Sequence, residues 1–447
     1  MILNNKHFTV KILTFTALIL TSSCTLTESS GNAGGSDQGD YFDETFLRSQ
    51  DHIYLPNIAT VMAYRKGFEQ SLPTVFLNDP ESILEVRFDD LYGGIRNYYY
   101  KIILCDHNWN IINKPYQEYL EGYQEHPIQD YKVSFNTIVR YTHYRFELPN
   151  KDIRFRHSGN FLVVGFDMDT DELLFSKRIM VAENLMTMQS DIHFTDVVSQ
   201  RFYQQEVDFT VDAGNFSIVD PFRNLNASII QNHRWDNAVH KLKPQFVESS
   251  KYIYDLSDRN IFNGINEFRL LDIRSFMRPA PNVSAVKRDS LYEFKLARDM
   301  KRSFKRYLTI EDINGDFSIM AERADDPHLE ADYFQVEFEL ETNGAIDSGD
   351  VYIAGDFSNW RALPEYRMQY DATDGVYKTS LLLKQGYYNY MYALWNDDDS
   401  HLNVAAMEGN HSETENNYTI LVYYYDMALD ADRLIGVHSG NSIEQNE

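Results

Sequence analysis

Apolar and polar positions alternate along most of this chain with the period of a pleated strand. Residues 86–91 alternate in this way, and Gly93-Gly94 supplies a turn. Tyr98-Tyr99-Tyr100 opens the next run, which stays apolar through Ile102, Ile103 and Leu104 until Trp109 closes it. Aromatic and β-branched side chains of this kind suit a half-buried pleated surface. The same pattern predicts strands over 84–88, 98–104, 144–148, 161–166 and 173–181. Further strands are predicted over 206–211, 226–231 and 268–273, with another pair beginning within 290–299. The last set covers 333–340, 351–354, 376–383, 387–394 and 418–424. Asn314-Gly315 reads as a hairpin turn between 307–310 and 317–320. The expected fold class is all-β, built of tandem immunoglobulin-like β-sandwich domains.

Turn residues and composition shifts divide the chain. Residues 1–23 read as a lipoprotein signal peptide: Lys6 and Lys11 precede an apolar core over 12–20, and Thr21-Ser22-Ser23-Cys24 resembles a lipoprotein cleavage box with Thr21 in place of the usual Leu. Cys24 is the expected lipidation site. Residues 24–41, with four glycines, read as a flexible tether. Three β-sandwich domains are expected over 42–184, 185–330 and 331–437, with a disordered tail at 438–447. Beyond the N-terminus no stretch is long and apolar enough to span a bilayer as a helix. Surface-exported lipoproteins commonly carry an acidic run just after the cysteine. Thr25-Leu26-Thr27-Glu28 has none, which implies an anchor facing the periplasm.

Charge changes the picture more than composition does. Removal of the signal leaves 39 basic against 67 acidic residues, a net of −28, which argues against a nucleic-acid partner. Residues 331–437 hold 19 acidic and 5 basic residues, half of that charge in about a quarter of the length. The one basic stretch runs over 274–306. Its Arg274, Arg278, Lys287, Arg288, Arg298 and Arg302 are candidate partner contacts, set against the plainer reading of a solvated strand face.

Chemistry is sparse. There is no nucleophile elbow, phosphate loop, dinucleotide fingerprint or His-Glu-x-x-His helix. Asp167-Met168-Asp169-Thr170-Asp171 imitates the start of a calcium loop, but Glu172 stands where a glycine is required and Arg178 where the closing glutamate belongs. It reads as a hairpin turn. No catalytic residue, metal ligand or cofactor site is nominated. Cys105, at the end of an apolar run, reads as a small core residue.

Several short motifs occur in one order: Phe88-Asp89-Asp90-Leu91, Cys105-Asp106-x-x-Trp109, Tyr141-Thr142-His143-Tyr144, Ser158-Gly159-Asn160, Gln231-Asn232-x-Arg234-Trp235-Asp236, Asn266-Glu267-Phe268-Arg269, Ala331-Asp332-Tyr333, Leu383-Lys384-Gln385-Gly386 and Asp432-Arg433-Leu434-Ile435-Gly436. Together they resemble the plug-protein family of the Bacteroidota type IX secretion system, over about 46–436. That resemblance implies a non-catalytic gate. It would bind the periplasmic mouth of the outer-membrane type IX translocon barrel (SprA/Sov type) and close it when no cargo passes. It also implies a periplasmic lipoprotein anchored to the outer membrane. A second resemblance lies inside the third domain. Val351 to Trp360 looks like the opening of early-set, glycogen-binding immunoglobulin-like modules, where an exposed Trp stacks on sugar. Trp360 matches that Trp and Trp395 falls a few residues early for the second, while Met391 takes the place of a lysine. A carbohydrate-binding lipoprotein is therefore the alternative, expected if both tryptophans share an exposed face. A hydrolase with carboxylates converging across a deep cleft is the third class.

Overall fold

The chain folds, in a computed structural model that describes residues 46–396 and 399–443, almost entirely as β-strands. Cys24, the signal, the tether and residues 444–447 lie outside the described residues. Apart from 307–310, the predicted strands form where the alternation placed them. Leu84–Asp90, Tyr98–Cys105, Thr142–Leu148, Gly159–Asp167 and Leu173–Ala182 build the first region. Gly159–Asp167 and Leu173–Ala182 pair antiparallel around 168–172, so the calcium-like segment is a hairpin turn.

One long sheet runs through two sandwiches. Its order is Arg234–Leu242, Leu225–Gln231, Asn417–Asp426, Ala431–Asn441, Leu173–Ala182, Gly159–Asp167, Tyr98–Cys105 and Glu125–Pro127. Over one half lies the four-stranded sheet Ile58–Arg65, Leu84–Asp90, Thr142–Leu148 and Asp130–Val133. Val86, Phe88, Phe146, Phe161 and Phe175 fill the core between them. Over the other half lies a five-stranded sheet led by Thr187–Phe194 and Gln204–Asp212, with Val207, Phe209, Ile229 and Ile420 inside. A third sandwich sets a six-stranded sheet around Tyr333–Glu341 and Val376–Lys384 against a four-stranded sheet around Gly386–Trp395. Its core includes Phe294, Val336, Phe338, Ile353 and Tyr392.

The sandwiches do not follow the contiguous segments expected from turn signals. Arg269–Asp272, Val283–Arg288, Tyr292–Leu296 and Phe317–Ile319 belong to the sheets of the third sandwich. Asn417–Asp426 and Ala431–Asn441 leave it and complete the second. Residues 438–441, expected in the tail, pair with Asn417–Ile420. Boundaries drawn at 330/331 and 437/438 therefore cut through hydrogen-bonded sheets. Alternation reports that a strand has a buried face; it carries no information on which sheet buries it. The predicted hairpin at 314–315 is also corrected. Asn314 and Gly315 adopt the positive φ of a tight turn, but 307–310 is not a strand. Phe317–Ile319 pairs instead with Gly386–Tyr388.

Candidate interface and the junctions that brace it

The motif residues meet in three dimensions, and they meet in buried junctions. Asp89, next to last in Leu84–Asp90, holds a carboxylate removed from solvent, as is the Lys384 ammonium it binds at 2.6 Å. His143 donates from Nδ1 at 2.7 Å to the other carboxylate oxygen, and the Tyr333 hydroxyl donates at 2.7 Å to the first. Lys384 also donates to the His328 carbonyl at 2.7 Å and sits 4.2 Å over the Tyr141 ring. Burial pushes the Asp89 carboxyl up, but the Lys384 ammonium and the His143 ring outweigh it and hold it below the usual carboxylate range. Burial drives the His143 ring down, so it stays neutral. Asp332 then accepts from the backbone of Ile138 at 2.7 Å and Val139 at 3.0 Å. Four separate motifs thus tie the first sandwich to the third.

Two further charged clusters use other motifs, one inside the third sandwich and one between the first and the second. Arg269 binds Glu408 at 2.9 Å and Asp299 at 2.6 Å, and Arg302 binds Glu408 at 2.6 Å. Arg433 binds Glu183 at 2.8 Å, which also accepts from Ser158 at 2.6 Å. Gly159 beside it has φ +147, and a Cβ there would lie 2.9 Å from the Asp432 carbonyl, so only glycine lets these segments approach. Cys105 is buried and free, its thiol pushed up to about 12 by burial, as befits a core residue. Between the sandwiches the Arg178 guanidinium lies 4.7 Å from the Trp109 ring and 5.1 Å from the Trp235 ring. Most of these polar groups are engaged with one another, while the buried Trp109 indole N–H has no hydrogen-bond partner. They brace the body and present nothing to a ligand.

The candidate contact residues divide. Arg274 binds Asp272 at 2.6 Å, Arg278 binds Glu322, and Arg298 reaches Glu339 at 3.4 Å. Arg302 is spent on buried Glu408. Lys287 and Arg288 are exposed at the end of Val283–Arg288, and form no ion pair among the described residues. The basic stretch and the acidic last segment meet at three of its cations, Lys295, Arg298 and Arg302. Tyr292–Leu296 and Asp299–Met300 pair in parallel with Tyr333–Glu341, which sets Lys295 2.6 Å from Glu339 and Arg298 beside Glu341. An open groove of about 870 Å³ crosses this sheet, lined by Lys287, Lys295, Glu337, Arg367 and Lys378 among others. Its carboxylates Glu337 and Asp371 are held by Lys295 and Lys378.

Trp360 is 4 % exposed, with the Arg234 guanidinium 4.2 Å over its ring and Phe268 edge-on. Trp395 is half-buried against the same cluster, and Met391 is buried within it. The tryptophans are packing groups, and no paired sugar platform exists on them. Among the described residues one acidic set, Glu206, Asp208 and Asp255, gathers oxygens within 4.8 Å of one another. Glu206 already accepts from Thr195 and Asp196, and Asp208 from His193 and Asn260.

Sequence reasoning passed over the most exposed apolar groups. Val198, Phe202, Phe304 and Leu308 are 70–86 % exposed. Val198, Phe202 and Phe304 lie in loops without periodicity, where an apolar residue gives no strand signal, and Leu308 lies in the segment 307–310 that was read as a strand and is a loop. The only available sign was the basic flanking of Phe304.

Comparisons with known proteins agree with the motif order. The chain is similar to a hypothetical protein from Parabacteroides merdae of known crystal structure. The two are 30% identical over 89% of this chain and 100% of that one, with a TM-score of 0.85. No curated protein matches. Residues 58–183, which span the four-stranded sheet and the first strands of the long sheet, match the family described as "Type 9 secretion system plug protein 1st domain". By this domain the chain belongs to the type IX secretion plug family and is involved in type IX secretion.

Proposed function

We propose that this protein is a non-catalytic plug of the type IX outer-membrane translocon. It binds the periplasmic mouth of the translocon barrel and closes it when no cargo is in transit. The observation that carries the reading is the family match over 58–183, joined to the fate of the motif residues: they brace three sandwiches into one body instead of lining a reaction site. Closing a wide pore requires a rigid body and a broad, reversible contact. Rigid charged surfaces favour fast, salt-sensitive docking. Lys287 and Arg288 are the contact candidates left free for such docking, since Arg274, Arg278, Arg298 and Arg302 hold internal partners. An acyl chain on Cys24 would keep the body at the periplasmic face of the outer membrane.

The test is affinity purification of the tagged protein from detergent-solubilised outer membrane of a cargo-depleted strain. The barrel should co-purify, and Lys287→Glu with Arg288→Glu should reduce its recovery. Deletion of the protein should admit large antibiotics while cargo still folds. Failure to recover the barrel from the cargo-depleted strain overturns the proposal. Metabolic labelling with a fatty-acid analogue should mark the wild type and not Cys24→Ala.

A further inference from the structure

The two most exposed apolar loops leave the same segment of chain. Ser412 donates from its backbone to the Phe202 carbonyl at 3.1 Å, which fixes the loop 195–203. Arg302 and Ser303 donate to the Met407 carbonyl at 2.9 and 3.1 Å, and the Tyr307 ring packs 5.7 Å from that of His411, which fixes the loop 301–310. Residues 407–412 are thus the common base. From it rise Val198 (86 % exposed), Phe202 (70 %), Phe304 (86 %) and Leu308 (70 %). An apolar side chain at that exposure is unfavourable in water by about 1.5–3 kcal/mol relative to full burial.

Cations surround these tips. Lys301, Lys305 and Arg306 flank Phe304, and Arg201 precedes Phe202. None of the four forms an ion pair among the described residues, unlike Arg302 beside them. The Lys301 ammonium lies 5.6 Å from the Phe304 ring. Carboxylates stand near as well: Asp196 and Glu311 border the two loops in sequence, Glu413 follows their common base, and Lys301 donates from its backbone to the Glu341 carbonyl at 3.2 Å. On a chain of net charge −26, a run of four cations in six residues, 301–306, three of them without an ion pair among the described residues, is an exception to the general field.

We infer that the loops 195–203 and 301–310 form a lipid-contacting patch, in which Phe304, Leu308, Phe202 and Val198 enter the headgroup boundary of an anionic bilayer and Lys301, Lys305, Arg306 and Arg201 meet its phosphates. The occupant follows from shape and charge. Separate protruding apolar tips ringed by unpaired cations are the interfacial pattern of peripheral membrane proteins. A protein partner would be met by a flatter patch or an open sheet edge. The inference is independent of the plug reading. It requires no acyl chain, only that the body rest against a membrane.

The test uses the chain from residue 25 onward, so that neither the apolar segment 12–20 nor an acyl chain on Cys24 contributes. Flotation with vesicles of phosphatidylethanolamine and phosphatidylglycerol should carry the protein upward, about ten-fold more tightly than vesicles of phosphatidylcholine, with the difference vanishing at high salt. Phe304→Asp with Leu308→Asp should return it to the vesicle-free control without changing its melting temperature. In a Phe304→Trp variant the fluorescence should shift to the blue on adding the anionic vesicles. Wild-type protein that stays at the bottom of the gradient, or a double variant that floats like the wild type, overturns the inference. So does binding to solubilised outer-membrane protein without binding to protein-free vesicles, which would assign the patch to a protein rim.

Discussion

Two lysines of this protein sit beside aromatic rings and do opposite things. Lys384 lies 4.2 Å over Tyr141 with its ammonium wholly buried and bound to Asp89. Lys301 lies 5.6 Å from Phe304, which is 86 % exposed, and has no carboxylate partner among the described residues. The first arrangement joins two sandwiches. The second joins nothing within the chain. Both are lysine-aromatic pairs, so residue type does not decide the role. What decides is whether the fold brings a counter-charge and excludes water.

The sharpest break of this comparison is at the buried pair. Asp89→Ala leaves the Lys384 ammonium without its counter-charge and the Tyr333 hydroxyl without its acceptor, and should destabilise the protein by about 3–5 kcal/mol in chemical denaturation. Replacing the pair together, Asp89→Leu with Lys384→Met, should be milder than the single change, because no charge is then left unpaired. If the single change is silent, the junction does not brace the body.

A second buried site tests the packing reading of Trp360. Trp360→Ala should lower stability by about 3 kcal/mol, since it empties the space between Arg234 and Phe268. Calorimetric titration of the wild-type chain with maltoheptaose should give no heat above dilution. Micromolar binding abolished by Trp360→Ala would instead restore a sugar site there.

These sites also show what was legible in the chain. Strand positions were, because alternation is a local consequence of burying one face: Val86 and Phe88 point inward whatever sheet covers them. The ordered motifs were legible as a family likeness. Their meaning was not. Asp89 and Lys384 are 295 positions apart, and only the fold makes them a pair. The exchange of strands between the second and third sandwiches was hidden for the same reason, since Leu225–Gln231 and Asn417–Asp426 carry no mark of each other. The charge split misled in an instructive way. A basic stretch and an acidic segment looked like two external surfaces, and pairing in parallel turned them toward one another at Lys295, Arg298 and Glu339.

The same contrast can be sharpened within five residues of chain. Arg302 and Lys305 carry equal charge, but Arg302 binds Glu408, which is 0 % exposed, and Lys305 faces solvent. Arg302→Glu should cost about 2–4 kcal/mol, placing a second carboxylate against a buried one. Lys305→Glu should stay within about 0.5 kcal/mol of wild type. Equal effects at the two positions would mean that the buried triad of Arg269, Arg302 and Glu408 is no more than surface pairing.

The smallest expected effect is a change in pH dependence at the base of the exposed loop. The Tyr307 hydroxyl donates to the Glu267 carboxylate, so the loop is pinned by an acid that is itself buried. Burial raises the Glu267 carboxyl from 4.5 to about 7, against the bond from Tyr307, with Asp312 and Glu415 pushing the same way as burial. A folded-state value above the unfolded one means that the protonated form stabilises the fold. That contribution is complete below 4.5 and is lost as pH rises to about 7. Glu267→Gln keeps a neutral acceptor for Tyr307 and cannot ionise. The melting temperature of the variant minus that of the wild type should therefore rise between pH 4.5 and 7, by about 1–2 °C, and stay level above. The buried histidines titrate in both proteins and cancel in the difference, and Asp312, which interacts with Glu267, is kept neutral in both by making the comparison in an Asp312→Asn background. A difference that is flat across this range would place the Glu267 carboxyl in water, and with it would fall the view that 301–310 is held at its root by buried groups while its apolar tips stand free.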